Sequence, residues 1–140
     1  MRYLSTEWIT SVAAAVAANS ELQSLASQHN VGLTQVVTGT PFGDITYHLQ
    51  SSNGKVVFAP GEAPEEHVRF TESYETAVAV SNGSLNAQEA FISGKIMFVG
   101  DHQKLIDAGD LFAAGFLRGL TQGKDLTSCA RIGAIAAAEV

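Results

Sequence analysis

Residues 43–50, Gly-Asp-Ile-Thr-Tyr-His-Leu-Gln, alternate cleanly, with Ile45, Tyr47 and Leu49 on one side and Thr46, His48 and Gln50 on the other. Residues 67–71 repeat the pattern, setting Val68 and Phe70 against His67, Arg69 and Thr71. A period of two fits an extended strand, because successive side chains of a strand point to opposite faces. Strands with one apolar and one polar side predict a half-exposed antiparallel sheet, one face on a core and the other in water. Residues 31–38 and 54–59 are weaker strand candidates. Ser52-Asn53-Gly54 supplies a hairpin turn between strands, and Thr40-Pro41-Phe42-Gly43 a second break. Residues 60–66, Pro-Gly-Glu-Ala-Pro-Glu-Glu, read as an acidic loop. Glu62, Glu65, Glu66, Glu72 and Glu75 form a solvated edge, with Arg69 as a weak partner.

A sheet with one apolar face needs a cover, and helical periodicity on either side of the strands supplies it. Residues 5–18 predict a helix capped by Ser5 or Thr6, with Glu7 in the first turn at the positive end of the dipole. Trp8, Ile9, Val12 and Val16 recur at helical spacing and form its buried stripe. Ser20 followed by Gln23 is a capping-box pattern that restarts a short helix through Leu22 and Leu25.

Residues 70–101 add two helices, a strand and two glycine turns. Thr71 caps the first helix, with Glu72 and Glu75 early in it and Tyr74, Ala77 and Val78 facing inward. Asn82-Gly83 ends it, and Asn86 followed by Glu89 starts the second, leading to Ala90 and Phe91. Ser93-Gly94 then turns the chain into strand 95–99, where Ile96 and Phe98 share one face. Met97 and Val99 make the opposite face apolar as well, which does not suit a sheet side in water. A subunit contact that makes the chain a homodimer and cover by the chain's own tail both fit, and both stay open.

Composition narrows the classes of partner. The net charge is −6, with Lys and Arg scattered singly, so nucleic acid and anionic membrane are not expected partners. No apolar run approaches the roughly 18 residues of a membrane span, and no stable insertion is expected. The single cysteine, Cys129, cannot close an internal disulfide, which favours a reducing compartment. The opening residues lack the apolar stretch of a signal peptide and the last three are not a peroxisomal address, so a cytoplasmic placement is expected. His29, His48, His67 and His102 have no zinc spacing, and neither a metal nor a cofactor is implied. Asp101-His102 reads as a solvated turn, and Gly39-Thr40-Pro41-Phe42-Gly43 lacks the Gly-Lys ending of a phosphate loop.

Two segments carry a family resemblance. One is Tyr3-Leu4-Ser5-Thr6-Glu7-Trp8-Ile9; the other is residues 70–101, with Ala90-Phe91-Ile92 on a short helix before Gly94-Lys95-Ile96-Met97-Phe98-Val99-Gly100-Asp101. Over roughly residues 3–105 the chain resembles the sterol carrier protein 2 family. That resemblance implies an α+β fold, a mostly antiparallel five-stranded sheet with helices packed on one face. It also implies an apolar tunnel between sheet and helices, closed by a carboxy-terminal helix, for a fatty acid, sterol or acyl-CoA. By analogy Ile45, Tyr47, Leu49, Phe58, Phe70, Val78, Phe91, Ile96 and Phe98 line the ligand. Taken singly, each also fits an ordinary core position. No catalytic residue is implied.

A second likeness covers residues 108–139, which resemble the late segment of ribokinase-like carbohydrate and nucleoside kinases. Asp110 falls on that family's catalytic aspartate, with Ala108 and Gly109 on the two residues before it. Asp107 departs from the family's first glycine and sets a carboxylate where phosphate oxygens approach. No parallel α/β body precedes residue 106 to hold nucleotide and sugar, so Asp110 is read as a helix cap. The chain then divides into a lipid-binding domain at 1–107 and a helical tail at 108–140 packed on it. Leu111, Phe112, Phe116, Leu117 and Leu120 form the stripe of a closing helix, which adds Phe112 and Phe116 to the ligand site. Non-catalytic lipid binding is the leading reading. A kinase fragment and a structural domain with a filled core are the alternatives.

Overall fold

The structure, a computed structural model, describes residues 4–81, 84–85 and 87–106. The first helix, α1 (Thr6–Ala18), starts where Ser5 keeps an extended backbone and its hydroxyl accepts the Trp8 N–H at 3.1 Å. It buries Trp8, Ile9, Val12 and Val16, as their spacing requires. A short helix, α2 (Ser20–Leu25), and a single 3-10 turn, Ala26–Gln28, follow. Gln23 does not reach back to Ser20 as in a capping box. Its amide donates to Val16 O at 3.0 Å and Val56 O at 2.8 Å, and its carbonyl accepts the Val56 N–H at 2.9 Å. One side chain thus finishes α1 and fastens the helical corner to the sheet.

The sheet has five strands: β1 (Val31–Thr40), β2 (Gly43–Ser52), β3 (Lys55–Pro60), β4 (Val68–Ser73) and β5 (Ile96–Gly100), in the order β3-β2-β1-β4-β5. The β2–β3 turn is made by Asn53 and Gly54 with φ of 53° and 74°, the left-handed pair a tight hairpin needs. Two helices, α3 (Tyr74–Ser81) and α4 (Ala87–Ile92), connect β4 to β5. Three of the strand pairs are antiparallel, as expected, but β4 runs parallel to β1, with Leu33 opposite Val68 and Val37 opposite Glu72. The sheet is therefore mixed, because the chain leaves β3 at one edge and crosses two strands before β4 begins.

That crossing changes the reading of the sheet's polar side. The acidic loop runs over β1 and β2 on the face away from α1, and its alternate residues bond the sheet. Gly61 N–H donates to Thr46 O at 2.9 Å, Ala63 N–H to Thr34 Oγ1 at 3.0 Å, and Glu65 N–H to Gln50 Oε1 at 3.1 Å. His67 N–H donates to Gly32 O at 2.8 Å, while Gly32 N–H donates to His67 Nδ1 at 3.0 Å. His48 Nδ1 lies 2.9 Å from Gly61 O, so this nitrogen carries the proton of the bond. Thr34, His48 and Gln50 are consequently buried, where alternation predicted a face in water.

The carboxylates of this strap meet solvent, while Ala63 is buried. Arg69 bonds Glu66, at 2.9 Å for the shorter contact, and also pairs with Glu62. The Arg69 hydrogen bond holds the Glu66 carboxyl below its ordinary value. A lowered folded-state value means a contribution present above the ordinary carboxylate range and lost as pH falls through the lowered one. The partners are about a third exposed and screened, so Arg69→Ala is expected to cost under about 1 kcal/mol.

Two glycines let the backbones approach. A Cβ on Gly32 falls inside the van der Waals envelope of Glu65 O and Gln50 Oε1. A Cβ on Gly100, whose φ is +141°, meets His67 O, the acceptor of the Asp101 N–H at 3.1 Å. Gly32→Ala is therefore expected to lower unfolding stability by about 1–3 kcal/mol. The check is urea denaturation: a lower midpoint at unchanged slope is the expected result.

Candidate functional site

Strand register sorts the side chains of the helix-facing side into one layer. It holds Leu33, Gln35 and Val37 of β1, Ile45, Tyr47 and Leu49 of β2, and Val56 and Phe58 of β3. Val68, Phe70 and Glu72 of β4 and Ile96 and Phe98 of β5 complete it. Two halves of this layer are packed differently.

Over β3 and β2 the cover is α1, whose buried stripe packs against them. Trp8, Tyr47 and Phe58 form a trio with ring centroids 5.1 to 6.3 Å apart, Trp8 edge-on to the other two. Tyr47, Leu49 and Phe58 are all buried in this cluster. Ile45 lies at its margin and lines a separate cleft of about 300 Å³ with Leu4, Ile9 and Phe42.

Over β1, β4 and β5 the cover is α3 and α4. Phe98 is central there, with ring centroids 5.5 Å from Phe70, 6.4 Å from Phe91 and 5.3 Å from His102. Phe70 and Ile96 are buried, whereas Phe91 and Phe98 are only half-buried. Beside α3 a cleft of about 650 Å³, open on one side, is lined by Thr38 and Gly39 of β1, Ser73 of β4, and Tyr74, Glu75, Val78 and Ala79 of α3. Its volume falls in the range of small-molecule sites. Val78 is the one sequence-derived site residue in this lining. Phe112 and Phe116, the stripe at 111–120, Asp110, Cys129, Asn82-Gly83 and Asn86 lie outside the described residues.

The two polar members of the layer and the cap of α3 differ from the expectation drawn from the sequence. Helix α3 is capped by Ser73, whose hydroxyl accepts the Thr76 N–H at 3.1 Å, and not by Thr71. Thr71 and Glu72 belong to β4, so Glu72 is inside and not on a solvated edge; it is 2% exposed. Gln35, 3% exposed, donates from Nε2 to Glu72 Oε1 at 3.2 Å. The signal was present in the parity of Leu33-Gln35-Val37 and Val68-Phe70-Glu72, where a polar residue occupies an inward position.

Among the described residues, no three His, Cys, Asp or Glu side chains form a group able to hold a metal ion. Nor is any described helix long and apolar enough to cross a membrane. Met97 and Val99 are 62% and 67% exposed on the outer face of β5, the apolar face expected from the sequence.

Comparison with known proteins agrees with this architecture. The profile of the SCP-2 sterol transfer family matches residues 14–113. The apo form of sterol carrier protein 2 from Yarrowia lipolytica superposes with a TM-score of 0.58 at 17% identity, covering 86% of this chain and 98% of that one. The sterol carrier protein domain 2 of Helicoverpa armigera gives 0.58 at 22% identity, with 83% and 91% covered. At these identities the likeness is one of fold. No curated protein matches the chain.

The two halves of the layer are expected to respond differently to truncation. Trp8→Ala should cost about 3–5 kcal/mol, the range for a buried aromatic. Phe98→Ala, at a half-buried position, should cost clearly less, and paired urea titrations measure the difference.

Proposed function

Because the chain belongs to the SCP-2 sterol transfer family, we propose that it binds and transfers a hydrophobic ligand, a fatty acid, sterol or acyl-CoA, held between sheet and helices without bond chemistry. The observation that carries this reading is the cleft of about 650 Å³ beside α3, lined by Tyr74, Val78 and Ala79, on the side of the sheet where Phe91 and Phe98 are also only partly buried. An apolar chain laid there removes that surface and its own from water, at about 25 cal/mol per Å². Thr38, Ser73 and Glu75 at the cleft offer polar groups to a head group, the usual division of labour in such sites. The tail at 108–140 is part of the proposal as the closing wall, and the protein is proposed to work in the cytoplasm.

The test is displacement of a fluorescent fatty acid together with native mass spectrometry of the purified protein. Saturable displacement at micromolar probe, with co-purified lipid masses, is the expected result. Neither signal at that concentration overturns the reading. Val78→Glu, which puts a carboxylate into the cleft lining, is expected to weaken probe binding by roughly tenfold or more. Circular dichroism of the variant separates this from unfolding.

A further inference from the structure

Two histidines hold the strap to the sheet, and they do so with opposite chemistry. His48 Nδ1 lies 2.9 Å from Gly61 O, which only accepts, so this ring nitrogen carries a proton. His67 Nδ1 lies 3.0 Å from the Gly32 nitrogen, whose N–H only donates, so this ring nitrogen carries a lone pair. A charged imidazole has a proton on both nitrogens. Charging the ring therefore keeps the bond of His48 and removes the acceptor at His67.

The bond at His67 sits at a junction. Gly32 is buried, and Glu65 O and Gln50 Oε1 crowd the space beside its Cα, so the strap lies directly on β1 here. A buried N–H that loses its acceptor pays the desolvation of that group in full. The His67 N–H also donates to Gly32 O at 2.8 Å, so ring and backbone of one residue hold both polar groups of the glycine. His67 O in turn accepts the Asp101 N–H at 3.1 Å, and Asp101 O accepts the Leu105 N–H at 3.0 Å. Residues 101–106 carry His102, whose ring lies 5.3 Å from that of Phe98, and the buried Leu105. His67 thus joins the strap, the start of β1 and the segment that follows β5.

We propose that His67 is an acid-released latch: when its ring takes up a proton, the Gly32 bond is lost and the strap loosens over the start of β1, together with residues 101–106. The bond contributes while the ring is neutral and is lost as the ring charges. Histidine ordinarily makes that change between about pH 8 and pH 5. The other charged groups around the latch have roles of their own. Glu66 of the strap and Arg69 of β4 bind one another, and Glu62 pairs with the same guanidinium. The Asp101 carboxylate accepts the Gln103 and Lys104 amides, and Lys104 Nζ donates to Asn30 O at 2.6 Å. Glu65 is exposed on the strap, His29 precedes β1, and His48 keeps its bond on charging. The latch is independent of the ligand reading.

The experiment is amide hydrogen exchange of the full chain, followed by nuclear magnetic resonance at about pH 7.5 and about pH 5.5, on either side of the ordinary histidine range. Each rate is divided by the unstructured-chain rate at the same pH, which removes the intrinsic effect of acid. Protection of the Gly32 amide is expected to fall about tenfold or more at the lower pH, with the Ala63 and Glu65 amides following it. His67→Asn offers an amide oxygen in place of Nδ1 and does not titrate, so its Gly32 protection is expected to stay within about threefold. Wild-type protection that does not change overturns the latch. An equal fall in His67→Asn overturns it too, and moves the sensitivity to Asp101, Glu65, His29 or His102. If His67→Asn fails to fold, judged by loss of the near-ultraviolet signal of Trp8, the ring nitrogen shifts of the wild type carry the test. At neutral pH a bare Nδ1 on His67 beside a protonated one on His48, with the fall at Gly32, supports the inference. A protonated Nδ1 on neutral His67 overturns it.

Discussion

The parallel pairing of β1 with β4 is the constraint on which the rest of the structure depends. Parallel neighbours cannot be joined by a tight hairpin, so the chain must travel back across one face of the sheet. Here seven residues, 61–67, make that journey. A connection this short has no room for a helix and lies flat on the strands. Its amides at 61, 63, 65 and 67 would be orphaned against an apolar surface. They are satisfied because that side of β1 and β2 carries the Thr34 hydroxyl and the Gln50 amide oxygen, while the backbone carbonyls of Thr46 and Gly32 accept the two outer amides. The polar parity of the strands is therefore matched to the strap and not to water.

Once the strap occupies one face, all apolar cover must come from helices on the other. Among the described residues these helices are unequal in length. Helix α1 has 13 residues and a four-residue buried stripe, and Gln23 fixes its far end to an edge strand. Helices α3 and α4 have eight and six residues, lengths at which a helix has little stability of its own and is held by what it covers. The aromatic trio of Trp8, Tyr47 and Phe58 closes the α1 half, while Phe91 and Phe98 stay half-buried in the other. A guest that adds apolar contact would stabilise the half whose described cover is shorter, which supports the proposal of a ligand under α3 and α4.

Local order was legible in the sequence wherever one period ran long enough. Helix α1, with Ser5 one of its two candidate caps, and strands β2 and β5 follow from spacing alone. The strap was not legible. Its bonds join backbone amides to side chains up to 35 residues away, and residues 60–66 carry the composition of any solvated loop. Alternation correctly gave the two faces of β2 but not what covers them, since a polar face under backbone amides and a polar face under water look alike. For the site, the apolar members of the layer could be named from parity. How they divide between a buried half and a half-buried one depends on which helix lies above each strand, and only tertiary packing decides that.

Glu72 shows how close such a decision is. Thr71 and Ser73 are both good caps, and a helix begun at Thr71 would put Glu72 in its first turn, gaining about 0.3–1 kcal/mol from the dipole. Ending the strand there would also forfeit pairing on two sides, because β4 is an interior strand. Glu72 opposes Val37 of β1 and Ile96 of β5, and Ser73 opposes Thr38. Each backbone hydrogen bond is worth roughly 0.5–1.5 kcal/mol net, so the ladder outweighs the dipole and the strand runs on. The consequence is a carboxylate delivered to the inner face, where Gln35, an inward residue on the neighbouring strand, meets it. An apolar residue at position 72 would extend the same ladder without burying a polar group. Backbone pairing accounts for where Glu72 sits.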